Sequence, residues 1–199
     1  MRSIAFVLAA LVVSGPAAAE WKDFASVSEG FGVAFPADPD VDEVAMFEVV
    51  PGKTVPARIY SARYDNSLFK MTVVDGRDAG LQEAPVVDQA LKRLTQGGQL
   101  KFNIPARIYR TYGRHYSIAR PNGGLTTASV FFSNDRLYQI ESTKFAGGIE
   151  SDLIRFQQSL TFDRNVANRT AQEMQAIRAS CVGINVNPAG LDDPRCVRR

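Results

Sequence analysis

The chain has 199 residues, of which 45% are hydrophobic and 10% aromatic, and its formal net charge is +2 at pH 7. This length suits a single domain with a core of its own, and the aromatic content excludes a wholly disordered chain. The charge is uneven, because residues 20–100 carry 13 acidic and 8 basic side chains whereas residues 101–199 carry 8 acidic and 14 basic. A molecule with an acidic and a basic side is one outcome, but we expect folding to interleave the halves and cancel the difference.

The first nineteen residues have the features of a secretory signal peptide. Arg2 supplies a positive charge, residues 4–13 are apolar, and Ala17-Ala18-Ala19 offers a cleavage site before Glu20. The apolar run is too short for a membrane span, which needs about 20 residues. We therefore expect a periplasmic or secreted mature chain without a transmembrane segment, in a compartment where nucleic acid is not a routine partner.

Strand patterns follow. Alternating apolar residues predict strands at 31–36, 41–50, 54–64 and 68–74, separated by short turns that favour antiparallel hairpins. The period then changes to that of a helix at residues 85–96, where Val87, Ala90, Leu91 and Leu94 would face the core. In particular, we expect Leu91 to be buried against the sheet.

In the second half of the chain, predicted strands are again followed by helices. Strands are predicted at 100–111, 114–120, 125–133 and 136–145, and helices at 149–160 and 165–179. Within 125–133 the small polar residues Thr127, Ser129 and Ser133 share one face with Phe131, which is typical of a sheet that is covered on one side only.

These elements predict an α+β fold with a central antiparallel β-sheet flanked by helices. We divide the chain into a signal peptide (1–19), an α+β sandwich domain (20–163) and a C-terminal helix with a disulfide-closed tail (164–199). One pentapeptide, Pro-Ala-Arg-Ile-Tyr, occurs at 56–60 and again at 105–109. Because nothing around the two copies matches, we interpret them as a coincidence of similar strand requirements and not as a repeat.

The tail contains both cysteines, Cys181 and Cys196. In an oxidising compartment a disulfide between them is expected, and it would stabilise the fold by about 3 kcal/mol. A redox pair is the alternative, but catalytic thiols usually lie close together in Cys-x-x-Cys, which this spacing does not match.

Four segments resemble the PsbP-like α+β family of extracytoplasmic proteins over roughly residues 24–162. They are the opening Gly-Phe-Gly-Val-Ala-Phe-Pro (30–36), the helix with Asp-Gln-Ala-Leu (88–91), the strand Arg-Leu-Tyr-Gln-Ile (136–140) and the closing Arg-Phe-Gln-Gln-Ser-Leu-Thr-Phe (155–162). The resemblance implies a central antiparallel sheet between helices. It also implies an accessory or binding role, since known members are mostly not enzymes, although a fold does not fix a function.

Catalytic and metal-binding patterns are weak. The single histidine, His115, has no nucleophile motif beside it, so we expect an ordinary surface or half-buried strand histidine. Asp38, Asp40 and Asp42 imitate the start of a calcium loop, but Glu43 stands where glycine is required. We predict no catalytic residue, no metal site and no cofactor.

One cluster of basic and aromatic residues indicates binding. Its members are Arg107, Tyr109, Arg110, Tyr112 and Arg114, and both residue types are enriched in recognition surfaces. In one continuous strand, Arg107 and Tyr109 would share one face and Arg110 and Tyr112 the other, and we expect the second pair to face outward.

From these patterns we expect a non-enzymatic binding or accessory protein at the cell envelope. Its partner would be an envelope protein or an anionic envelope component, and not nucleic acid. The alternative is a periplasmic hydrolase with a carboxylate-based site, because any two of the 21 acidic residues could converge.

Overall fold

The computed structural model describes residues 20–162. The expected signal peptide, the C-terminal helix at 165–179 and the disulfide between Cys181 and Cys196 lie outside the described residues. Within the described range, the chain forms ten strands and two α-helices. The elements are β1 (Lys22–Ser26), β2 (Phe31–Phe35), β3 (Asp40–Val50), β4 (Lys53–Tyr64), β5 (Ser67–Asp75), α1 (Glu83–Thr95), β6 (Gln99–Ile108), β7 (Thr111–Ala119), β8 (Leu125–Ser133), β9 (Arg136–Lys144), α2 (Glu150–Gln158) and β10 (Thr161–Phe162).

Seven strands form one antiparallel sheet in the order β3-β4-β5-β9-β8-β7-β6. Residues 40–75 therefore supply one side of this sheet and residues 99–144 the other, and the two sides meet where β5 pairs with β9. The expectation that folding interleaves the two halves of the chain is wrong for this sheet. The edge strand β3 carries four acidic residues and no basic one, while β6, β7 and their connecting turn carry basic residues and no acidic one.

Both faces of the large sheet are covered. One face packs against α1, and its core includes Val74, Tyr116 and Leu137. The other face packs against a three-stranded sheet, β1-β2-β10, and against α2, with Phe69 and Ile140 in that second core. The prediction of a central antiparallel sheet with helices is confirmed. Cover on one side only is wrong, because α2 and the small sheet lie over the strand face that carries Thr127 and Ser129.

Helix α1 begins two residues before the predicted start, and Pro85 lies in its first turn. Its core stripe consists of Val86, Ala90 and Leu94, which are all buried. Leu91 is only half-buried on the flank of the helix, so the prediction that it lies in the core is wrong. At the C-terminal end, the guanidinium of Arg120 donates hydrogen bonds to the carbonyl oxygens of Leu94 and Gln96, both at 2.8 Å, and so caps the helix.

Helix α2 is held by aromatic packing. Leu153 and Phe156 are fully buried, and the Phe156 ring lies 5.1 Å from that of Phe35 and 5.3 Å from that of Phe69. Ile149, which the periodicity assigned to the buried stripe, precedes the helix and is 48% exposed. These contacts fasten β2 and β5 to the same helix, and therefore hold the small sheet over the large one.

Candidate binding surface

The five residues of the basic and aromatic cluster all lie on the β6–β7 hairpin at one edge of the large sheet. The hairpin turns at Tyr109 and Arg110, so Arg107 belongs to β6 and Tyr112 and Arg114 belong to β7. The strand predicted at 100–111 therefore ends three residues earlier than expected, at Ile108. Tyr109 is 57% and Tyr112 65% exposed, Arg107 and Arg110 are exposed, and Arg114 is half-buried.

The hairpin changes which residues share a face. Arg107 stands directly opposite Tyr112, and Pro105 stands opposite Arg114. Arg114 is in turn opposite Val130, a core residue under α1, so Arg107, Tyr112 and Arg114 all lie on the α1 side of the sheet. The predicted separation of Arg107 from Tyr112 on opposite faces is therefore wrong. Three members of the cluster share one face, and Tyr109 and Arg110 form the tip.

Tyr109 has an unusual backbone. Its φ is 52°, in the left-handed region that bulky side chains rarely adopt. Two other hairpin turns of the same sheet place Asp65-Asn66 and Asn134-Asp135 in this region, where short polar side chains are tolerated. The tip of the β6–β7 hairpin thus holds an exposed aromatic ring at a position that Asn, Asp or Gly occupies more favourably. Strain of this kind is concentrated at functional sites.

A groove runs beside the hairpin, between α1 and strands β6 and β7. Its volume is ≈ 420 Å³, and it is lined by Glu83, Ala84, Val87, Asp88, Leu91, Asn103, Arg114 and Tyr116. The Nε of Arg114 donates to Oδ1 of Asn103 at 2.7 Å, which fixes the guanidinium against β6. Val87 and Leu91 of α1 thus form one wall. The helical period placed them in the core, and no sequence signal pointed to a groove.

His115 takes part in a partly buried polar network on the face away from α1. Its Nδ1 lies 2.8 Å from Oγ of Ser129, whose hydroxyl donates to Oε1 of Gln157 at 2.9 Å. The orientation of the Gln157 amide is set because its Nε2 donates to the carbonyl oxygens of Thr127 and Ile140. The one hydroxyl proton of Ser129 is then already used, so His115 must donate through Nδ1.

This polarity is the reverse of a nucleophilic Ser–His pair, in which the serine donates to the ring. Burial lowers the pKa of His115 below its ordinary value. The prediction of a half-buried strand histidine is confirmed, and the network serves to join α2 to β7 and β8.

Glu29, in the turn between β1 and β2, is the one acidic residue that is buried among residues 20–162. Its Oε1 accepts from Arg58 at 3.0 Å and its Oε2 from the Tyr60 hydroxyl at 2.6 Å. The hydroxyl of Tyr138 also donates to the Glu29 carbonyl oxygen at 2.7 Å. Burial, and next the hydrogen bond to Glu29, raise the pKa of Tyr60 to about 12. Both carboxylate oxygens are occupied, so this cluster holds the small sheet in place and is not arranged as a general base.

The acidic residues at the other edge do not converge. Asp38 pairs with Lys22 at 2.8 Å, and Oδ1 of Asp42 accepts from the Val44 amide at 3.2 Å. Across residues 20–162, no group of three or more His, Cys, Asp or Glu side chains could hold a metal ion. Neither α1 nor α2 has the length and apolar character that a bilayer crossing requires.

Comparison of the sequence with protein-family models and with curated proteins gives no match. Comparison of the structure with solved structures does find similar proteins. The solution structure of cyanobacterial PsbP (CyanoP) from Synechocystis sp. PCC 6803 is similar with a TM-score of 0.50 and 12% identity, over 75% of this chain and 96% of that one. A crystal structure from Bacteroides thetaiotaomicron VPI-5482 has a TM-score of 0.37 and 15% identity, over 81% of this chain and 58% of that one. The described part of the chain therefore has a PsbP-like fold.

Proposed function

We propose that this protein is an extracytoplasmic, non-enzymatic accessory protein that binds an anionic partner at the cell envelope through its β6–β7 hairpin. The observation that carries the proposal is the hairpin itself. It brings Arg107, Arg110 and Tyr112 to an exposed edge, beside a strained Tyr109, with no acidic residue in either strand or in the turn. Arginine and tyrosine together supply charge-assisted hydrogen bonds and rigid contact area.

The fold supports the same role. The resemblance to the PsbP-like family implies an accessory or binding protein, and a solved structure with a similar fold is that of a cyanobacterial PsbP. The sequence adds the expected export signal. Purified from the periplasmic fraction, the protein should begin at Glu20 and contain no free thiol, with a mass two protons below that of the reduced form. Material that keeps Met1, or that alkylates at both Cys181 and Cys196 without reduction, would contradict the extracytoplasmic part of the proposal.

The binding role is tested by a charge-matched pair of double variants. Arg107→Ala with Arg110→Ala removes two positive charges from the hairpin, and Arg63→Ala with Lys92→Ala removes two from exposed positions elsewhere. Each protein is titrated with two anionic probes, phosphatidylglycerol vesicles and an acidic synthetic peptide. We expect the hairpin variant to bind one of the probes about tenfold more weakly than the control variant at low salt, since charge attraction is screened at higher ionic strength.

Equal binding by the two double variants, with both probes and with unchanged melting temperatures, would refute a role for the hairpin.

A further inference from the structure

Strand β6 is an edge of the large sheet, with a neighbour on one side only among the strands of residues 20–162. Ile108 and Thr111 flank the two-residue turn, and residues in that position exchange both backbone hydrogen bonds. Alternation along β6 then directs the backbone groups of Asn103 and Arg107 away from β7, to the free edge, where the Asn103 carbonyl oxygen also accepts a hydrogen bond from Nη2 of Arg114 at 3.4 Å. Pro105 lies between Asn103 and Arg107, and its backbone nitrogen also faces the free edge. Because proline has no N–H, this position costs β6 no hydrogen bond to β7.

The side chains of β6 differ between its two faces. On the face away from α1, Phe102 is 42% and Ile104 49% exposed, which leaves an apolar strip beside the free edge. On the α1 face lie Asn103 and Arg107, next to the groove that contains Arg114. An added strand would thus meet apolar side chains on one face and guanidinium groups on the other, in strict alternation.

We infer that β6 accepts an extended segment of a partner protein, in which acidic and apolar residues alternate, as an additional strand of the sheet. The inference rests on the proposed function and names the partner's chemistry at the same edge. Backbone hydrogen bonds to Asn103 and Arg107 would give affinity, as in other cases of strand addition. Apolar residues of the segment would cover Phe102 and Ile104, and its carboxylates would face Arg107 and Arg114.

Two features of the edge argue for a short segment. Pro105 removes one donor from the middle of the free edge, and a register irregularity between Leu100 and Phe102 interrupts the pairing of β6 with β7. Natural edges carry such devices because a long, regular edge would aggregate. The uninterrupted part of β6, from Phe102 to Ile108, has seven residues and can therefore pair along its length with a segment of six or seven.

The experiment measures the affinity of fluorescent hexapeptides by anisotropy. The first alternates glutamate and valine, the second alternates lysine and valine, and the third is the acidic peptide N-methylated at every residue, which cannot donate a backbone hydrogen bond. The protein variants are Arg107→Ala and Arg107→Pro. Both lose the guanidinium, but only the proline variant also loses the outward N–H, so the ratio of their affinities isolates the strand pairing.

We expect the acidic peptide to bind and the lysine peptide not to bind. Arg107→Ala should weaken binding by about fivefold, and Arg107→Pro by about another fivefold, which is the effect of one backbone hydrogen bond. N-methylation of the peptide should abolish binding to the natural protein. This probe keeps the test decisive should Arg107→Pro fail to fold.

Equal affinities of the two Arg107 variants together with binding of the N-methylated peptide would overturn strand addition while leaving the basic hairpin as a binding surface. Binding to phosphatidylglycerol vesicles alone would do the same. The chain's own acidic edge, β3, also alternates acidic and apolar residues at Asp40, Val41 and Asp42. If the protein self-associates in sedimentation experiments, and Asp40→Lys with Asp42→Lys prevents this, a second copy is the occupant and the inference is wrong.

Discussion

The pentapeptide Pro-Ala-Arg-Ile-Tyr occurs in two places that differ in almost every structural respect. In β4, an inner strand, Arg58 and Tyr60 lie under the β1–β2 turn and bind the carboxylate of Glu29. In β6, an edge strand, Arg107 lies on the opposite face of the sheet and Tyr109 forms the tip of a hairpin. Tyr60 is 4% exposed and Tyr109 57%.

The residue types of the two copies are identical, so the difference comes from what lies over them. The β1–β2 turn covers Arg58 and Tyr60, whereas Arg107 and Tyr109 are exposed. A guanidinium and a phenol that are buried beside a carboxylate stabilise the fold. The same groups in an edge strand and at a hairpin tip lie where a partner can reach them. Substitutions at equivalent positions of the two copies therefore separate stability from binding.

The largest difference should come from the two arginines. Arg58→Ala leaves the Glu29 carboxylate, whose side chain is 11% exposed, without its ion-pair partner. We expect the free energy of unfolding to fall by about 3 kcal/mol, towards the lower end for a broken buried pair because part of Arg58 reaches solvent. Arg107→Ala should change it by less than about 0.5 kcal/mol, as for other surface positions. Urea denaturation of both variants checks the comparison, and equal losses would contradict it.

The two tyrosines should differ next. Tyr60→Phe removes a 2.6 Å hydrogen bond to a carboxylate, and we expect a loss of about 2 kcal/mol at neutral pH. The pKa of Tyr60 is raised from 10.0 to about 12, so the folded state favours the neutral phenol. The stability that this provides is complete below pH 10 and is lost as the pH rises from 10 towards 12.

Burial also raises the pKa of Tyr116 and Tyr138, so some alkaline loss remains in the variant. The specific test is the difference between the natural protein and Tyr60→Phe, measured by denaturation at pH 9 and at pH 11. The gap between the two proteins should narrow at the higher pH. A constant gap would mean that Tyr60 ionises normally in the folded protein.

The smallest effect concerns the hairpin tip. Tyr109→Asn places a residue that tolerates the left-handed region at φ 52°, as Asn66 and Asn134 do in the other turns. We expect it to raise the free energy of unfolding by about 0.5–1 kcal/mol through relief of backbone strain, and to weaken partner binding through loss of the ring. Thermal melting and peptide titration of the same sample check both parts. A destabilised variant would show that the interactions of the Tyr109 side chain outweigh the strain.

Much of the fold could be predicted from local patterns. The strand at Leu125–Ser133 has the predicted bounds. The short turns predicted between strands include those at Asp65-Asn66 and Asn134-Asp135, where the backbone adopts positive φ. Strand β1 was missed because its short sequence lacks a clear alternation. It is held instead by distant partners, such as the contact of Phe24 with the Tyr60 ring at 4.9 Å.

The hairpin turn was misplaced for a related reason. The predicted strands left Tyr112 and Gly113 between them, and glycine usually marks a turn. Gly113 is instead required inside β7, because a Cβ there would collide with the Val130 carbonyl oxygen and the Phe131 ring. The turn itself carries neither glycine nor asparagine. The structure brings the five residues of the predicted cluster onto one hairpin, and their role in binding stays a prediction. Which of them share a face depends on a register that local sequence did not specify.

The groove could not be predicted from the sequence, since it depends on how α1 is rotated about its axis over the sheet. Ala90 and Leu94 fit the buried stripe in either rotation of the helix, whereas Val87 and Leu91 face the core in one rotation and Val86 in the other. Packing selects the second, and this releases Leu91 to the groove wall. Similarly, the polar face of β8 suggested a sheet surface exposed to solvent. No residue close to Ser129 in sequence indicated that its hydroxyl would donate a hydrogen bond to Gln157 of α2.

The division of the large sheet into two sides has a consequence for the order of folding. Within each side, consecutive strands pair through short connections, and α1 lies in the link between the two sides, so both meanders can form from local contacts. The two sides meet where β5 pairs with β9, and there Asp75 lies opposite Arg136. Forming this pair closes a loop of about 60 residues. The chain therefore loses the conformational entropy of that loop before the contacts between β5 and β9 stabilise the fold. We expect the pairing of β5 with β9 to be the slow, nucleating contact: truncating Met71, which pairs with Ile140, should lower the folding rate, whereas truncating Ile104 at the outer edge should chiefly raise the unfolding rate.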